Sequence, residues 1–81
     1  MERVAIKKRV ELILIDKLGL QPTEITPDAH LTRDLGVDSL DYAELVMAFE
    51  NEFNVRIPDN EANSLNTFKE VIDYLHGRVS A

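Results

Sequence analysis

Residues 35–53 read LGVDSLDYAELVMAFENEF, and this stretch decides the fold because a helix start is followed by a long apolar repeat. Asp38 belongs to the residue types that cap helix N-termini, which puts Ser39 at about the first helical position. At 100° per residue, one broad arc of the helix is apolar and is predicted to face the core: Tyr42, Leu45, Val46, Phe49 and Phe53. We therefore expect a helix from about Ser39 to Phe53.

The opposite side of this helix carries two large apolar residues on an acidic face. Leu40 and Met47 fall there, with Glu44 beside them and Asp41 and Glu50 flanking. Single exposed apolar residues are common in proteins and need no function. A pair of them among carboxylates next to Ser39 instead favours a docking surface.

The first third of the chain predicts a helix followed by a long ordered loop. Apolar residues recur at helical spacing before Gly19, which supplies a left-handed stop: Ile6, Val10, Ile13, Leu14 and Leu18. Residues 20–37 contain Pro22, Pro27 and Gly36 and read as a loop. Isolated apolar residues are expected to anchor this loop to the core: Ile25, Leu31 and Leu35.

The last third predicts one short and one longer helix. Asp59 is expected to cap a short turn that contains Glu61, Ala62 and Leu65. Thr67 and Glu70 have the spacing of a capping box, and an apolar stripe follows before Gly77: Phe68, Val71, Ile72 and Leu75. No strand alternation or repeat is present. The fold class is therefore predicted to be all-α, a small four-helix bundle of three main helices and one short helix with a long first loop.

Length and composition limit the function classes. The 81 residues allow a single domain, 1–81, with one modest core. Fifteen acidic against nine basic residues give a net charge of −6, which disfavours nucleic-acid binding and favours basic protein partners. There is no cysteine, no signal peptide and no membrane-spanning run. We expect a soluble cytoplasmic monomer.

Catalysis and metal binding are disfavoured by the same residues. Ser39 with His30 or His76 suggests a hydrolytic triad, but no Gly-x-Ser-x-Gly elbow surrounds the serine, and its acidic neighbours oppose an oxyanion. Asp34, Asp38 and Asp41 lack the ligand order of a calcium loop. The chain is predicted not to be an enzyme and to have no metal site.

The motif LGVDSLD at 35–41, with ELVM at 44–47 and IPD at 57–59, resembles the acyl carrier proteins. The resemblance extends from about Ile6 to Leu75 and includes the order of the elements. In that family the matching serine, here Ser39, bears 4′-phosphopantetheine from coenzyme A. A phosphate is physically sensible at this position, because the free N–H groups at a helix N-terminus favour an anion.

The resemblance implies a phosphoprotein that carries acyl chains as thioesters in fatty acid biosynthesis, a part of lipid metabolism. The implied partners are a phosphopantetheinyl transferase and enzymes with basic patches: ketosynthases, reductases, dehydratases and acyltransferases. The implied docking residues are Asp38, Leu40, Asp41, Glu44, Met47, Glu50 and Ile57. The positions matching the family's acyl pocket are Val10, Leu31, Leu45, Phe49, Ala62, Leu65, Val71 and Tyr74, which are also the core residues of any such bundle.

Two departures from the family leave the cargo open. Phe49 stands where the family often has a smaller aliphatic residue, which predicts a shortened or redirected cavity. A stretch that is often acidic in bacterial fatty-acid carriers is instead rich in asparagine and contains Arg56. The alternatives are a specialised carrier for polyketide, aminoacyl or special-lipid synthesis, and an unmodified acidic protein-interaction module.

Overall fold

The structure, a computed structural model, describes residues 1–79 and contains four α-helices in that range. They are α1 (Arg3–Leu18), α2 (Ser39–Phe53), α3 (Asp59–Ala62) and α4 (Phe68–Val79), with a short 3₁₀ turn at Pro22–Glu24. The described residues form no strand, only an isolated antiparallel bridge between His30 and Thr67. The predicted all-α bundle of three main helices and one short helix is confirmed.

Helix α1 packs against both α2 and α4 and completes the core between them. Its inner side chains Ile6, Val10 and Leu14 are fully buried. Gly19 ends the helix in the left-handed conformation, with φ of 67°, and its N–H donates to the Ile15 carbonyl oxygen at 2.9 Å. This is the stop that the sequence predicts, at a backbone conformation that glycine adopts without steric cost.

The first loop, residues 20–37, is ordered because it is tied to the core and to the start of α4. Ile25 and Leu31 are buried, and Leu35 is half-buried. The Leu31 N–H donates to the Asn66 carbonyl at 2.8 Å, and the Phe68 N–H donates back to the Ala29 carbonyl at 3.0 Å. The loop therefore sets where α2 begins.

Helix α4 begins with the predicted capping box. The Glu70 N–H donates to Thr67 Oγ1 at 3.2 Å, and the Thr67 N–H donates to Glu70 Oε1 at 2.9 Å. Hydrogen bonds from the Thr67 and Asn66 backbone to the Glu70 carboxylate hold the pKa of that group below its usual range.

Two helix ends differ from prediction. Asp59 is the first residue of α3 rather than its cap; Pro58 takes the cap position, and its carbonyl accepts from the N–H groups of Glu61 and Ala62. Proline suits this place because its fixed φ leads into a helix and it has no N–H to leave unpaired. Helix α4 continues through Gly77 to Val79, and Gly77 is not in the left-handed conformation. A single glycine weakens a helix but does not have to end it. None of the helices in residues 1–79 is long and apolar enough to cross a membrane.

Candidate functional site

A reciprocal pair of hydrogen bonds fixes the start of α2. The Asp41 N–H donates to Asp38 Oδ1 at 2.8 Å, and the Asp38 N–H donates to Asp41 Oδ2 over a longer 3.4 Å. Both carboxylates lie at the positive end of the helix dipole, which favours them there. Ser39 is thereby held as the first helical residue, as the sequence predicts.

The segment before the cap explains why Ser39 reaches the surface. Val37 is buried, and its N–H donates to the Leu31 carbonyl oxygen at 2.9 Å. Gly36, with φ of 73°, makes the turn that leads into Val37. One buried residue therefore anchors the chain directly ahead of Asp38 and Ser39, which are both exposed.

The Ser39 hydroxyl has no hydrogen-bond partner within residues 1–79. His30 is engaged elsewhere, because its Nδ1 accepts the N–H groups of Thr32 at 3.2 Å and Arg33 at 3.1 Å. The site thus offers an accessible hydroxyl on a rigid first turn without a side-chain base bonded to it. Such a hydroxyl suits modification by a separate enzyme.

A groove of about 1060 Å³ opens beside Ser39 between α2 and the segment 56–66. The α2 wall includes Ala43, Val46 and Met47, and apolar residues also form much of the other wall: Ile57, Pro58, Ala62 and Leu65. Charged groups at the groove are Asp38, Glu50, Arg56 and Asp59. The volume is at the upper end of the range for small-molecule sites, and the mixed lining is typical of them.

Two side chains of α2 bridge the groove to its far wall. Glu50 Oε2 accepts the N–H of Ile57 at 2.8 Å. The Tyr42 hydroxyl donates to the carbonyl oxygen of Ala62 and also reaches that of Leu65, at 3.0 Å. Burial, with a smaller contribution from the negative charge of Glu70, raises the pKa of the Tyr42 phenol above its usual range.

The outer face of α2 has the composition expected of a docking surface. Leu40 is 68% exposed and Met47 is 60% exposed, so both side chains project from the core. Glu44 is exposed and has no partner within residues 1–79, whereas the carboxylates of Asp41 and Glu50 accept the backbone N–H groups of Asp38 and Ile57. Ile57 is only 4% exposed and is therefore accessible from the groove rather than from the outer face.

The residues matched to an acyl pocket lie in the core. Seven of them are buried, namely Val10, Leu31, Leu45, Phe49, Ala62, Leu65 and Val71. Tyr74 is half-buried and packs against the core cluster. Only Ala62 and Leu65 of the eight also line the groove, so this segment separates the groove from the interior.

A polar cluster joins helix α4 to α3 and to the chain ahead of it. The hydroxyl of Tyr74 donates to Glu61 Oε1, and Arg78 Nη1 donates to the same oxygen at 3.1 Å. Arg78 Nη2 also donates to the Arg56 carbonyl at 2.8 Å. Burial and then the hydrogen bond with Glu61 raise the pKa of Tyr74, while Arg78 opposes the shift. This cluster joins α3 to α4, while Tyr42 joins the end of α3 to α2.

Sequence reasoning missed both sets of contacts to α3. Tyr42 and Tyr74 read as apolar members of helix faces, and no motif marks a tyrosine that bonds a backbone carbonyl 20 residues away. The available signal is general: a largely buried tyrosine usually finds a partner for its hydroxyl.

Comparisons with known proteins agree with this arrangement. Residues 8–75 match the family described as "Phosphopantetheine attachment site". The chain is also 42% identical over 81 residues to an acyl carrier protein of Thermosynechococcus vestitus, covering all of both chains. The residues matched in each comparison include the capped start of α2 and both walls of the groove.

Proposed function

Since this chain belongs to the acyl carrier proteins, which carry acyl groups on 4′-phosphopantetheine and are not enzymes, we propose that Ser39 bears the prosthetic group and that the carrier serves fatty-acid synthesis. The observation that carries the assignment is the Ser39 hydroxyl, exposed and unpartnered within residues 1–79 on the capped first turn of α2.

The residues around Ser39 fit a phosphodiester with a long flexible chain. The first turn of α2 has backbone N–H groups without helical partners, and the helix dipole favours an anion there. The groove that begins at Ser39 has the volume and the apolar walls to receive a chain of this kind. Asp38 keeps the turn formed, so the hydroxyl is presented in a fixed place.

When attached, the group supplies a terminal thiol that holds the acyl chain as a thioester. The protein presents the acyl chain, steers it to partner enzymes and shields it from solvent. Ser39 fixes the point of attachment at the rim of the groove, so that the cargo can lie in the groove or extend into a partner's active site. Tethering in this way raises the effective concentration of cargo at each docked enzyme.

The outer face of α2 is the proposed docking surface. Exposed Leu40 and Met47 provide apolar contact, while Asp41, Glu44 and Glu50 attract basic patches on partner enzymes. Asp38 adds negative charge at the serine, and Ile57 contributes through the groove wall. A phosphopantetheinyl transferase and the fatty-acid synthesis enzymes, among them ketosynthases, reductases, dehydratases and acyltransferases, are the proposed partners in the cytoplasm.

The core behind the groove is the proposed acyl pocket. Ala62 and Leu65 lie at its boundary, and Leu45 and Val71, each 1% exposed, lie deeper. Phe49 is 2% exposed and is the middle one of the three residues that α2 buries in the core. Because interiors have little spare volume, this large ring limits the length of chain that the core can admit.

A pair of serine variants tests the attachment site. The intact mass of the full chain is measured before and after incubation with coenzyme A and a broad-specificity phosphopantetheinyl transferase. Wild type and Ser64→Ala are expected to gain one phosphopantetheine. Ser64 is the matched control because its side chain is also exposed, while its hydroxyl donates to the Glu61 carbonyl. Ser39→Ala is expected to gain none. A gain in folded Ser39→Ala would overturn the assignment.

A further inference from the structure

The side chain of Tyr42 in α2 makes hydrogen bonds to the segment 62–65, in addition to the apolar packing of Ala62 and Leu65 in the core. Its hydroxyl bonds the carbonyl oxygens of Ala62 and Leu65, which end α3 and begin the link to α4. Both carbonyls belong to residues that line the groove and at the same time are buried in the core. Tyr42 therefore crosses the boundary between groove and interior.

The contacts of α3 with α4 are of a different kind. Glu61 receives Tyr74 and Arg78 from α4, and Arg78 also bonds the Arg56 carbonyl ahead of α3. These contacts join α3, and Arg56 ahead of it, to α4 rather than to α2. If α3 moves away from α2, the Tyr42 contacts must break, whereas the contacts with α4 can persist and act as the hinge.

We infer that the Tyr42 hydroxyl is a latch that controls access from the groove at Ser39 to the apolar core. The latch makes Tyr42 a positioning and specificity-determining residue for the carried chain. The role as a gate for cargo rests on the proposed function, while the latch itself is a property of the unloaded protein. While the Tyr42 bonds are formed, Ala62 and Leu65 stay in place as a wall between the groove and the core. When the bonds break, the groove can connect with the space around Leu45 and Val71.

The chemistry of the bond suits a reversible closure. The contact joins a neutral phenol to two neutral carbonyl groups, so breaking it leaves no buried charge. The net worth of such a hydrogen bond in a folded protein is modest, because water compensates for much of it. A chain that gains apolar contacts in the core can therefore displace α3.

Hydrogen exchange on the unloaded chain tests the latch. The backbone N–H groups of Asn63, Ser64 and Leu65 are bonded within the α3 segment and report its opening. Tyr42→Phe removes only the hydroxyl and is expected to raise their exchange about three- to tenfold, without changing Leu45 in α2. The matched variant Tyr74→Phe removes the bonds of the Tyr74 hydroxyl to Glu61 and Arg78. Because Glu61 and Arg78 are solvent-accessible and keep their own ion pair, it is expected to change these rates less than about twofold.

The gating role has its own measurement on the loaded protein. With a saturated acyl thioester in place, cleavage by neutral hydroxylamine reports how far the chain is withdrawn from solvent. Tyr42→Phe is expected to slow this cleavage severalfold relative to wild type and Tyr74→Phe, because a freed α3 admits the chain more often.

The outcomes test the latch, the gating role and the proposed function separately. Unchanged exchange in folded Tyr42→Phe would overturn the latch. Raised exchange with unchanged thioester cleavage would overturn the gate and leave only a structural bond. Failure to load wild-type Ser39 would overturn the proposed function and the gating role with it, and the exchange rates would still report separately on the latch.

Discussion

The Glu50 carboxylate accepts the Ile57 N–H at 2.8 Å, so a residue of the acidic face proposed for docking also joins α2 to the chain ahead of α3. The contact bridges the groove seven residues along the sequence. Glu44, six residues earlier on the same helix, makes no such contact within residues 1–79. The two acids of one face are therefore not equivalent.

Truncation of Glu50 and Glu44, one at a time, is expected to distinguish an acid that stabilises the fold from one that only adds surface charge. Glu50→Ala leaves the Ile57 N–H without its charged acceptor and is expected to cost about 1–3 kcal/mol in the free energy of unfolding. Glu44→Ala is expected to change it by no more than about 0.5 kcal/mol, as for other surface positions. Denaturant unfolding measures both values, and equal stabilities would show that the Glu50 contact contributes nothing.

Charge reversal at Glu44 is expected to weaken partner binding without changing stability. Glu44→Lys should slow association with the phosphopantetheinyl transferase and reduce the salt dependence of the affinity, because a steering charge is lost. Glu24→Lys makes the same change in net charge in the first loop, outside the docking face. Surface plasmon resonance across a salt series compares them. Equal losses in the two variants would point to net charge rather than a docking surface.

Loss of the α2 cap is expected to affect both folding and modification. Asp38→Ala removes the acceptor for the Asp41 N–H and is expected to cost about 1 kcal/mol. For a domain of this size that corresponds to a melting temperature lower by about 4–8 °C. Fraying of the first turn should also slow modification of Ser39. Asp28→Ala, at an exposed position in the first loop, is the control and should alter neither quantity.

The second capping box predicts a loss of stability in acid. Hydrogen bonds from the backbone of Thr67 and Asn66 lower the pKa of Glu70 in the folded chain. Its contribution is therefore present above the unfolded pKa, about 4.3, and is lost as pH falls through the lower folded value. Glu70→Gln should be less stable than wild type at neutral pH, and the difference should close in acid. A constant difference between the two chains from neutral pH to pH 2 would contradict this.

Salt and divalent cations are expected to raise the melting temperature. The chain carries a net charge of −6, and the acids of α2 lie close together on one face. Added ions screen this repulsion in the folded state more than in the expanded unfolded state. Thermal unfolding at increasing sodium chloride, and separately at millimolar magnesium, measures the effect; a flat melting temperature would argue against self-repulsion.

The sequence predicted the features that depend on local chemistry and helical period. The Gly19 stop, the Asp38 cap and the exposure of Leu40 and Met47 follow from residue type and 100° spacing, and all three are confirmed. The end of α4 was not predicted because Gly77 is compatible with a helix and tertiary packing decides its length.

The tertiary polar contacts could not be predicted in the same way. Tyr42 reaches Ala62 across the groove, and Glu50 reaches Ile57, only because the loop after α2 turns back on it. Nothing in the spacing of these residues marks the pairs. The assignment of Ser39 itself came from a motif and its family resemblance rather than from periodicity.

The location of the added mass tests the central claim most directly. After incubation with coenzyme A and a phosphopantetheinyl transferase, trypsin is expected to release residues 34–56, in which Ser39 and Tyr42 carry the only hydroxyl groups. Fragmentation of this peptide by tandem mass spectrometry should place one phosphopantetheine on Ser39. An added group on any other residue, or an unmodified peptide from a folded chain shown to have a free Ser39 at the start, would contradict the account.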